Sequence, residues 1–250
     1  MTRVRVIPCI LLRDHGLVKT RKFKEAVYLG DPVNAVRIFS EKEVDELIVL
    51  DIDASREGRE PDYDFIAEIA GECFMPIAYG GGIKTVEQVR RLIRCGVEKV
   101  VINSATTSSY EVIRQSAQVF GRQAVVGAID VKKNLFGNYR VATHSATVEV
   151  KISLDEHVQN LVAAGVGELF INSVDRDGTM QGYDLNLIRH VAQQVKVPLV
   201  ACGGAGDVSH LAAAVHEGGA SAVAAGRMFV FHGRLRAVLI NYPQGLNLRR

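Results

Sequence analysis

A repeat within the sequence constrains the fold more strongly than any other feature. The segment Val44–Asp53 resembles Val166–Asp175, and Pro76–Gly82 resembles Pro198–Gly204, at the same separation of 122 residues. Each segment is a short apolar run that ends in Asp or Gly. Because self-similarity at one fixed spacing marks a repeated structural unit, the chain is predicted to contain two related halves, about residues 1–123 and 124–250.

Short apolar runs alternate with amphipathic segments along the whole chain. The runs predicted as strands are Val4–Ile10, Leu47–Ile52, Met75–Gly80, Lys99–Ile102, Ala124–Asp130, Glu168–Asn172, Val197–Cys202 and Ala220–Ala224. A helical period of about 3.6 residues lies between them, for example in Val86–Cys95, Leu154–Ala164 and Leu187–Val195. Such alternation implies parallel strands joined by helical crossovers.

Repeated strand–helix units predict a closed (β/α)8 barrel of the α/β class, a TIM barrel. A chain of 250 residues with 48% apolar side chains can bury one such core, and neither half would close its own sheet edge. We therefore expect one domain over residues 1–250, with an open doubly wound sheet as the alternative. Arg13–Pro32 and Lys133–Thr147 are predicted to be loops over the carboxyl ends of the strands, the second as a hairpin flap.

A carboxylate ends the strand at the start of the second half. Asp130 closes the apolar run that begins at Ala124, and the carboxyl ends of barrel strands are where this architecture keeps its chemistry. The matching place in the first strand holds Leu11. Asp130 is therefore a candidate general acid or base. Asp51 and Asp175, predicted on the same face of the barrel, are candidates either for chemistry or for holding loops.

Glycine pairs follow the predicted third and seventh strands. Without Cβ atoms, the backbone N–H groups of such a pair can approach an anion closely, and the helix that follows favours negative charge. A tight turn between strand and helix is the plainer interpretation of each pair alone. Two related copies instead predict two oxyanion sites facing each other across the barrel mouth, and hence an elongated ligand with a phosphate at each end. The predicted phosphate-binding residues are Gly81, Gly82, Asn103, Ser104, Asp177, Gly178, Gly203, Gly204, Ala225 and Gly226.

Charged residues begin several strands that should otherwise be apolar. They are Arg5, Glu46, Lys99 and Glu168, at the starts of the first, second, fourth and sixth strands. Because side chains alternate along a strand, Arg5 lies on the same side as Leu11 and Lys99 on the same side as Asn103. We predict that these charges meet inside the barrel at its amino-terminal end. They would form either a polar plug or a salt-bridge ring with a function, since buried ion pairs are weak evidence for stability.

Charge and composition exclude several classes of function. The formal net charge of +2 gives no field that would draw nucleic acid or a membrane surface. The four cysteines and seven histidines show no metal-ligand spacing, so no metal site and no cofactor are predicted. The sequence has no signal-peptide pattern and no apolar run near the roughly 20 residues that span a bilayer. We expect a cytoplasmic protein.

These motifs together resemble the cyclase subunit of imidazole glycerol phosphate synthase, along nearly the whole chain. The matching motifs are Ile7–Cys9, Gly30–Pro32, Asp45–Leu47, Gly80–Ile83, Ile102–Asn103, Ala128–Asp130, Asp175–Thr179, Gly182–Asp184 and Gly203–Gly206. The resemblance implies a half-barrel repeat that receives ammonia from a glutaminase subunit at the barrel bottom and delivers it to a bisphosphate at the top. The residues implied for an ammonia gate are Arg5, Glu46, Lys99 and Glu168. Glu98 and Gln123 are implied to lie near the docking face, and Lys19 to be the functional lysine of a mobile first loop.

The sequence departs from this family at Leu11, where the family pattern has an aspartate that works opposite Asp130. Leucine carries no titratable proton, and Asp14 has the wrong strand parity to replace the missing acid. Cys202 and Gly226 stand where the family usually has serine. A cyclase-like protein that keeps the ammonia conduit but lacks this acid resembles the second copies of the cyclase subunit that are associated with bacterial surface-saccharide loci. The role implied for those copies is to supply ammonia to a sugar amidotransferase.

Three functions are therefore open as alternatives. In the first, a lyase or synthase-type subunit receives ammonia from a glutaminase and supplies it to a nucleotide-sugar amidotransferase in lipopolysaccharide or O-antigen biosynthesis. In the second, the chain is an authentic cyclase of histidine biosynthesis. In the third, it is a non-catalytic, phosphate-binding activator of the glutaminase. The related isomerase of histidine synthesis is a weaker alternative, because it also needs a carboxylate at the position of Leu11.

Overall fold

The structure is a computed structural model that describes residues 3–232, 237–243 and 248–249. Its strands are β1 (Arg5–Arg13), β2 (Gly16–Arg21), β3 (Lys24–Gly30), β4 (Leu47–Asp51), β5 (Ile77–Gly80), β6 (Lys99–Ile102), β7 (Val125–Lys133), β8 (Tyr139–Thr143), β9 (Val148–Glu149), β10 (Glu168–Ser173), β11 (Leu199–Cys202), β12 (Ala222–Ala225), β13 (Phe231–His232) and β14 (Ala237–Val238). Its α-helices are α1 (Pro32–Glu41), α2 (Ala54–Glu57), α3 (Tyr63–Gly71), α4 (Val86–Arg94), α5 (Glu111–Phe120), α6 (Leu154–Ala164), α7 (Leu185–Ala192), α8 (Val208–His216) and α9 (Arg227–Val230). Short 3-10 helices cover Ser104–Thr107 and Arg122–Ala124.

Eight parallel strands close into a barrel. They follow one another around it in chain order, as β1, β4, β5, β6, β7, β10, β11 and β12. The ring closes because β7 pairs with β10 and β12 pairs with β1, both in parallel. The predicted (β/α)8 barrel is confirmed, and the alternative of an open doubly wound sheet is wrong. The division into half-barrel units stays a prediction.

Local sequence signals position the helices around the barrel. α4 begins with a capping box, in which Thr85 Oγ1 accepts the N–H of Gln88 and the Gln88 side chain accepts the N–H of Thr85. α6 has the predicted bounds, because Ser153 caps its first turn and Gly165 ends it in the left-handed conformation. α7 begins earlier than predicted, because the Asp184 side chain accepts the Leu187 N–H and fixes the start of the helix.

Two barrel strands run on past the rim into antiparallel hairpins, which corrects the sequence prediction. β1 pairs with β2, and β2 with β3, so the segment Arg13–Pro32 is largely a three-stranded hairpin rather than a loop. β7 continues beyond Asp130 and pairs with β8, so this strand does not end at the carboxylate. The predicted flap at Lys133–Thr147 is present as the β7–β8–β9 hairpin. β-prone residues in these segments extend the ladders even though charged residues interrupt the apolar pattern.

The core has two parts. The larger part lies between the strands and the surrounding helices and includes Phe39, Leu92 and Leu161. The smaller part fills the barrel interior with mainly short apolar side chains, such as Ala128 and Ala222. The interior is therefore packed by apolar atoms between a charged bottom and a polar top.

Candidate functional site

A cavity opens at the carboxyl ends of the barrel strands. Its volume is about 1400 Å³ when the open mouth is included. Every residue that the sequence predicted for catalysis or phosphate binding lines it, from Lys19 and Asp130 to both glycine pairs. Leu11 lines it as well.

Asp130 lies in this cavity between two asparagines. Asn103 Nδ2 donates to Asp130 Oδ2 at 2.8 Å, and Asn172 is its register partner on β10. Desolvation raises the pKa of Asp130 to about 7, against the opposing hydrogen bond from Asn103 and with a smaller contribution from the charge of Asp177. A carboxyl that titrates near neutrality can both hold and release a proton, as general acid–base catalysis requires.

The position of Leu11 has no carboxylate substitute nearby on β1. Asp14 is exposed in the turn between β1 and β2, and it does not line the cavity. Asp177 does line the cavity, and desolvation raises its pKa. Its carboxylate accepts a hydrogen bond from Thr20 Oγ1 at 3.2 Å, and its carbonyl accepts the Lys22 N–H at 2.9 Å. Asp177 therefore holds the first hairpin as well as facing the cavity.

Lys19 reaches into the barrel mouth from β2. Its side chain is buried, and Nζ donates to the carbonyl of Cys9 at 2.6 Å. A Cβ atom at Gly226 would lie 2.0 Å from that Nζ atom. The glycine that stands in place of the family's serine therefore leaves the space that the Lys19 ammonium occupies. The neighbouring Cys202 thiol and, to a lesser extent, the charge of Lys19 lower the pKa of the Cys9 thiol.

The two glycine pairs adopt related geometries. Gly81 and Gly203 have φ values of 131° and 90°, and a Cβ atom would lie 2.6 Å and 2.7 Å from the carbonyl oxygens of Asp51 and Ser173, respectively. Close backbone packing thus requires glycine at both places. The Gly82 N–H donates to Ser55 Oγ at 3.2 Å. Tight packing accounts for the glycines as turns, and phosphate binding stays a prediction that this geometry permits.

Two further aspartates hold loops. Asp51 Oδ1 accepts the N–H groups of Asp53 and Ala54 at 3.0 and 2.9 Å. Asp175 Oδ2 accepts the Lys133 N–H at 2.7 Å, at the base of the second hairpin. Of the two roles that the sequence left open for these residues, the structure favours the loop-holding one.

The four predicted charges meet at the opposite end of the barrel. Arg5 donates to both Glu46 and Glu168. Lys99 Nζ donates to Glu46 at 2.8 Å and to Glu168 at 3.2 Å. Each cation thus contacts both carboxylates, and the two carboxylates are buried. We call this set of four residues the charged ring.

The predicted docking residues lie at the same end as the charged ring. Glu98 and Gln123 are both exposed, immediately before the barrel strands β6 and β7. Because the amino ends of all barrel strands meet at one face, these side chains and the ring open toward the same surface.

Sequence reasoning missed several cavity residues. His144 and Ser145, in the turn after β8, line the cavity, and so do Arg13, Arg56 and Ser55. His144 lies inside the predicted flap but had no role assigned to it. A histidine among polar residues in a predicted flap was the only signal available.

Two features bear on classes of function. In the described residues, no helix combines the length and apolarity needed to cross a bilayer. Within the same part of the chain, no group of three or more His, Cys, Asp or Glu side chains could hold a metal ion.

One family pattern and several named proteins are similar to this sequence over most of its length. The pattern of the family described as histidine biosynthesis protein matches residues 5–236. A protein of Pseudomonas aeruginosa, provisionally named imidazole glycerol phosphate synthase subunit hisF2, is 56% identical over 243 residues, which cover 97% of each chain. The similarly named subunit hisF3 of Vibrio vulnificus is 51% identical, over 97% of this chain and 94% of that protein. A provisionally named HisF subunit of Leptospira borgpetersenii is 46% identical, over 98% and 97%.

The sequence similarity extends over the residues that form the candidate site. The matched region includes all eight barrel strands, the charged ring and every residue predicted to line the cavity for catalysis or phosphate binding. The chain therefore belongs to the histidine biosynthesis protein family, as a HisF-like member.

Proposed function

We propose that this chain is a synthase-type subunit that conducts ammonia from a glutaminase to a phosphorylated ligand in the cavity, and that it serves nucleotide-sugar amidation in lipopolysaccharide or O-antigen biosynthesis. One observation carries the proposal. The charged ring is complete, while the cavity above it has Asp130 without a carboxylate at Leu11. The residues proposed for an ammonia gate are thus all present, while one half of the proposed acid–base pair is absent.

The apolar interior favours a neutral amine over an ammonium ion. Between the ring and Asp130 the barrel interior holds apolar side chains, from Ala78 to the larger Phe170. Ammonia that enters such a lining stays unprotonated, because an apolar surrounding disfavours the charged ammonium ion. It would therefore arrive at the cavity as a nucleophile. We propose that the glutaminase docks over the face that carries Glu98 and Gln123.

The absence of a carboxylate at the position of Leu11 weighs against ring closure. A positioned general acid or base contributes about 10²–10⁴ in rate, and leucine cannot take part in proton transfer. The predicted phosphate-binding residues and Lys19 need no second acid in order to bind a ligand. Delivery of ammonia to an acceptor is thus compatible with every residue present.

An authentic cyclase is the second candidate, and Asp177 is the observation that favours it. This carboxyl lines the same cavity as Asp130, and its pKa is raised by desolvation. Such a group keeps its proton to a higher pH than an exposed aspartate does, which favours a part in the proton transfers of ring closure. Its hydrogen bond from Thr20 ties it to the first hairpin, so it would act only when that hairpin lies over the cavity.

Complementation of a strain that lacks the histidine cyclase separates the candidates. The chain is expressed together with a glutaminase partner, and growth without histidine is measured. We expect no growth for the chain itself and restored growth for Leu11→Asp. Leu11→Asn, which has the same size but no titratable proton, is the matched control and should not restore growth. Full growth with Leu11 in place would contradict the proposal and establish the cyclase.

A further inference from the structure

The turn after β8 lies at the mouth of the cavity. β8 runs antiparallel to β7, with Ala142 paired to Asp130, and it ends beside the cavity. The chain then turns through His144–Thr147, which we call the flap turn, and returns as β9. The flap turn therefore lies where a ligand in the cavity would be covered.

The flap turn is held in an unfavourable backbone conformation. His144, Ser145 and Ala146 have φ values of 52°, 56° and 60°, in succession and without a glycine. Residues with a Cβ atom adopt this left-handed conformation only when the surrounding structure enforces it. Backbone strain of this kind is concentrated at ligand-binding sites.

Two side-chain hydrogen bonds enforce it. Thr143 Oγ1 donates to Ser104 Oγ at 2.8 Å, and Ser145 Oγ donates to the Ile52 carbonyl at 2.5 Å. Ile52 follows β4 and Ser104 follows β6, so the two contacts lie on either side of the glycine pair that follows β5. The flap turn is thus tied across the first predicted oxyanion site.

The imidazole of His144 lacks a partner for one of its nitrogen atoms. The Nδ1 atom is buried and has no hydrogen-bond partner among the described residues, while the side chain lines the cavity. A buried polar atom without a partner is unfavourable and rare in native proteins. Because this atom is closed off from solvent, a ligand oxygen reaches it when the imidazole rotates toward the cavity that the same side chain lines.

The charge around the first site explains why a further donor is needed there. The arginines that line this end of the cavity, Arg13 and Arg56, both pair with the buried carboxylate of Asp53. Their charge is therefore shared with Asp53. The second site differs, because Lys19 reaches it.

We propose that His144 is a ligand-binding residue of the first site and that its Nδ1–H donates to an oxygen of a phosphate monoester. The flap turn thereby places a donor over one end of the elongated ligand. This inference rests on the proposed phosphate-binding function and adds the residue that selects a phosphate at that end.

Amide shifts in a nuclear magnetic resonance titration with inorganic phosphate test the two sites separately. Gly82 and Ser104 report on the first site, and Gly204 and Gly226 on the second. The variants are His144→Leu, which fills the space without a donor, and His144→Asn, which keeps a donor and tolerates the left-handed backbone. We expect His144→Leu to weaken binding at the first site about tenfold or more, with the second site within about twofold of the parent.

A second readout excludes a purely structural effect. The ¹⁵N shift of His144 Nδ1 should move as phosphate binds to the parent protein, and His144→Asn should retain most of the first-site affinity. Ala146→Gly is the control for the backbone, because it relieves the left-handed strain and leaves His144 in place; it should bind phosphate like the parent.

The possible outcomes separate this inference from the proposed function. Equal first-site affinity in the parent and in His144→Leu would overturn the inference and leave the phosphate sites standing. Equal losses at both sites would overturn it as well, because they would indicate a general disturbance of the barrel mouth. No phosphate binding at either site of the parent would contradict the proposed function itself.

Discussion

Asp130 shows how one residue can serve chemistry at the expense of stability. The carboxyl is half-buried in the wall of the cavity, and Asn103 Nδ2 donates a hydrogen bond to it. One donor does not replace the hydration that a carboxylate has in water, so the charged form is disfavoured. The same environment that brings its pKa toward neutrality means that the ionised residue destabilises the folded state.

Asp130→Asn is therefore expected to stabilise the protein in a manner that depends on pH. The unfolded carboxyl releases its proton near pH 3.8 and the folded one near pH 7, so between these values the folded state binds more protons. The contribution of Asp130 to stability then falls as pH rises through that window. At about 1.4 kcal/mol per pKa unit, the rise from 3.8 to about 7 sets an upper limit of roughly 4–5 kcal/mol on the gain in unfolding free energy of the variant above pH 7.

Urea unfolding of the parent and of Asp130→Asn between pH 4 and 8 measures this difference. The two curves should converge near pH 4 and separate progressively up to pH 7, and solvent in the cavity would reduce the final gap. Asn103→Ala is the comparison that removes the donor while the carboxyl stays, and it should destabilise the protein most above pH 7. A gap between the parent and Asp130→Asn that does not vary with pH would refute the assigned titration.

At the scale of an element, the first hairpin depends on the space at Gly226. Lys19 on β2 anchors the hairpin by its contact with the Cys9 carbonyl, and Thr20 anchors it to Asp177. A side chain at Gly226 would occupy the position of the Lys19 ammonium and come within 2.9 Å of the same carbonyl. The hairpin and the second predicted phosphate site are thus coupled through one glycine.

Gly226→Ser is expected to displace Lys19 and loosen β2 and β3. Hydrogen exchange of the amides in these strands should become several-fold faster, while the global unfolding free energy falls by only about 1 kcal/mol, since one hydrogen bond is lost. Gly71→Ser is the matched control, because a Cβ atom at Gly71 meets nothing within 4 Å. Unchanged exchange in β2 and β3 of Gly226→Ser would show that Lys19 does not hold the hairpin.

For the whole molecule, the hydrophobic pattern predicts the barrel because each barrel strand leaves a local signal in the sequence. The apolar run at Lys99–Ile102 and the helical period at Leu154–Ala164 match the observed elements to the residue. The hairpins were not predicted in full, because Lys24 and Glu25 interrupt the pattern of β3. Contacts such as Ser145 with Ile52 join residues 93 positions apart, and no local periodicity encodes them.

The charged ring is the part of the molecule in which four separate strands must cooperate. Glu46 accepts from both Arg5 and Lys99. Its removal would leave two cations to share Glu168, and breaking a buried pair in this way costs about 3–5 kcal/mol. Removal of the Lys99 charge should destabilise the protein less than removal of Glu46, because Arg5 still contacts both carboxylates. Lys99 is therefore the residue through which the ring can be opened while the barrel stays folded.

Lys99→Met is expected to uncouple glutamine hydrolysis from the delivery of ammonia. The assay uses the complex with a glutaminase, in the Leu11→Asp background where cyclisation can be followed. Turnover driven by glutamine should fall about tenfold relative to turnover driven by added ammonium salt, because ammonia leaks at the opened ring before it enters the interior. Lys151→Met, at an exposed site outside the barrel strands, is the control and should keep the parent ratio. A ratio in Lys99→Met equal to that of the control would mean that the ring is only a polar plug at the barrel bottom.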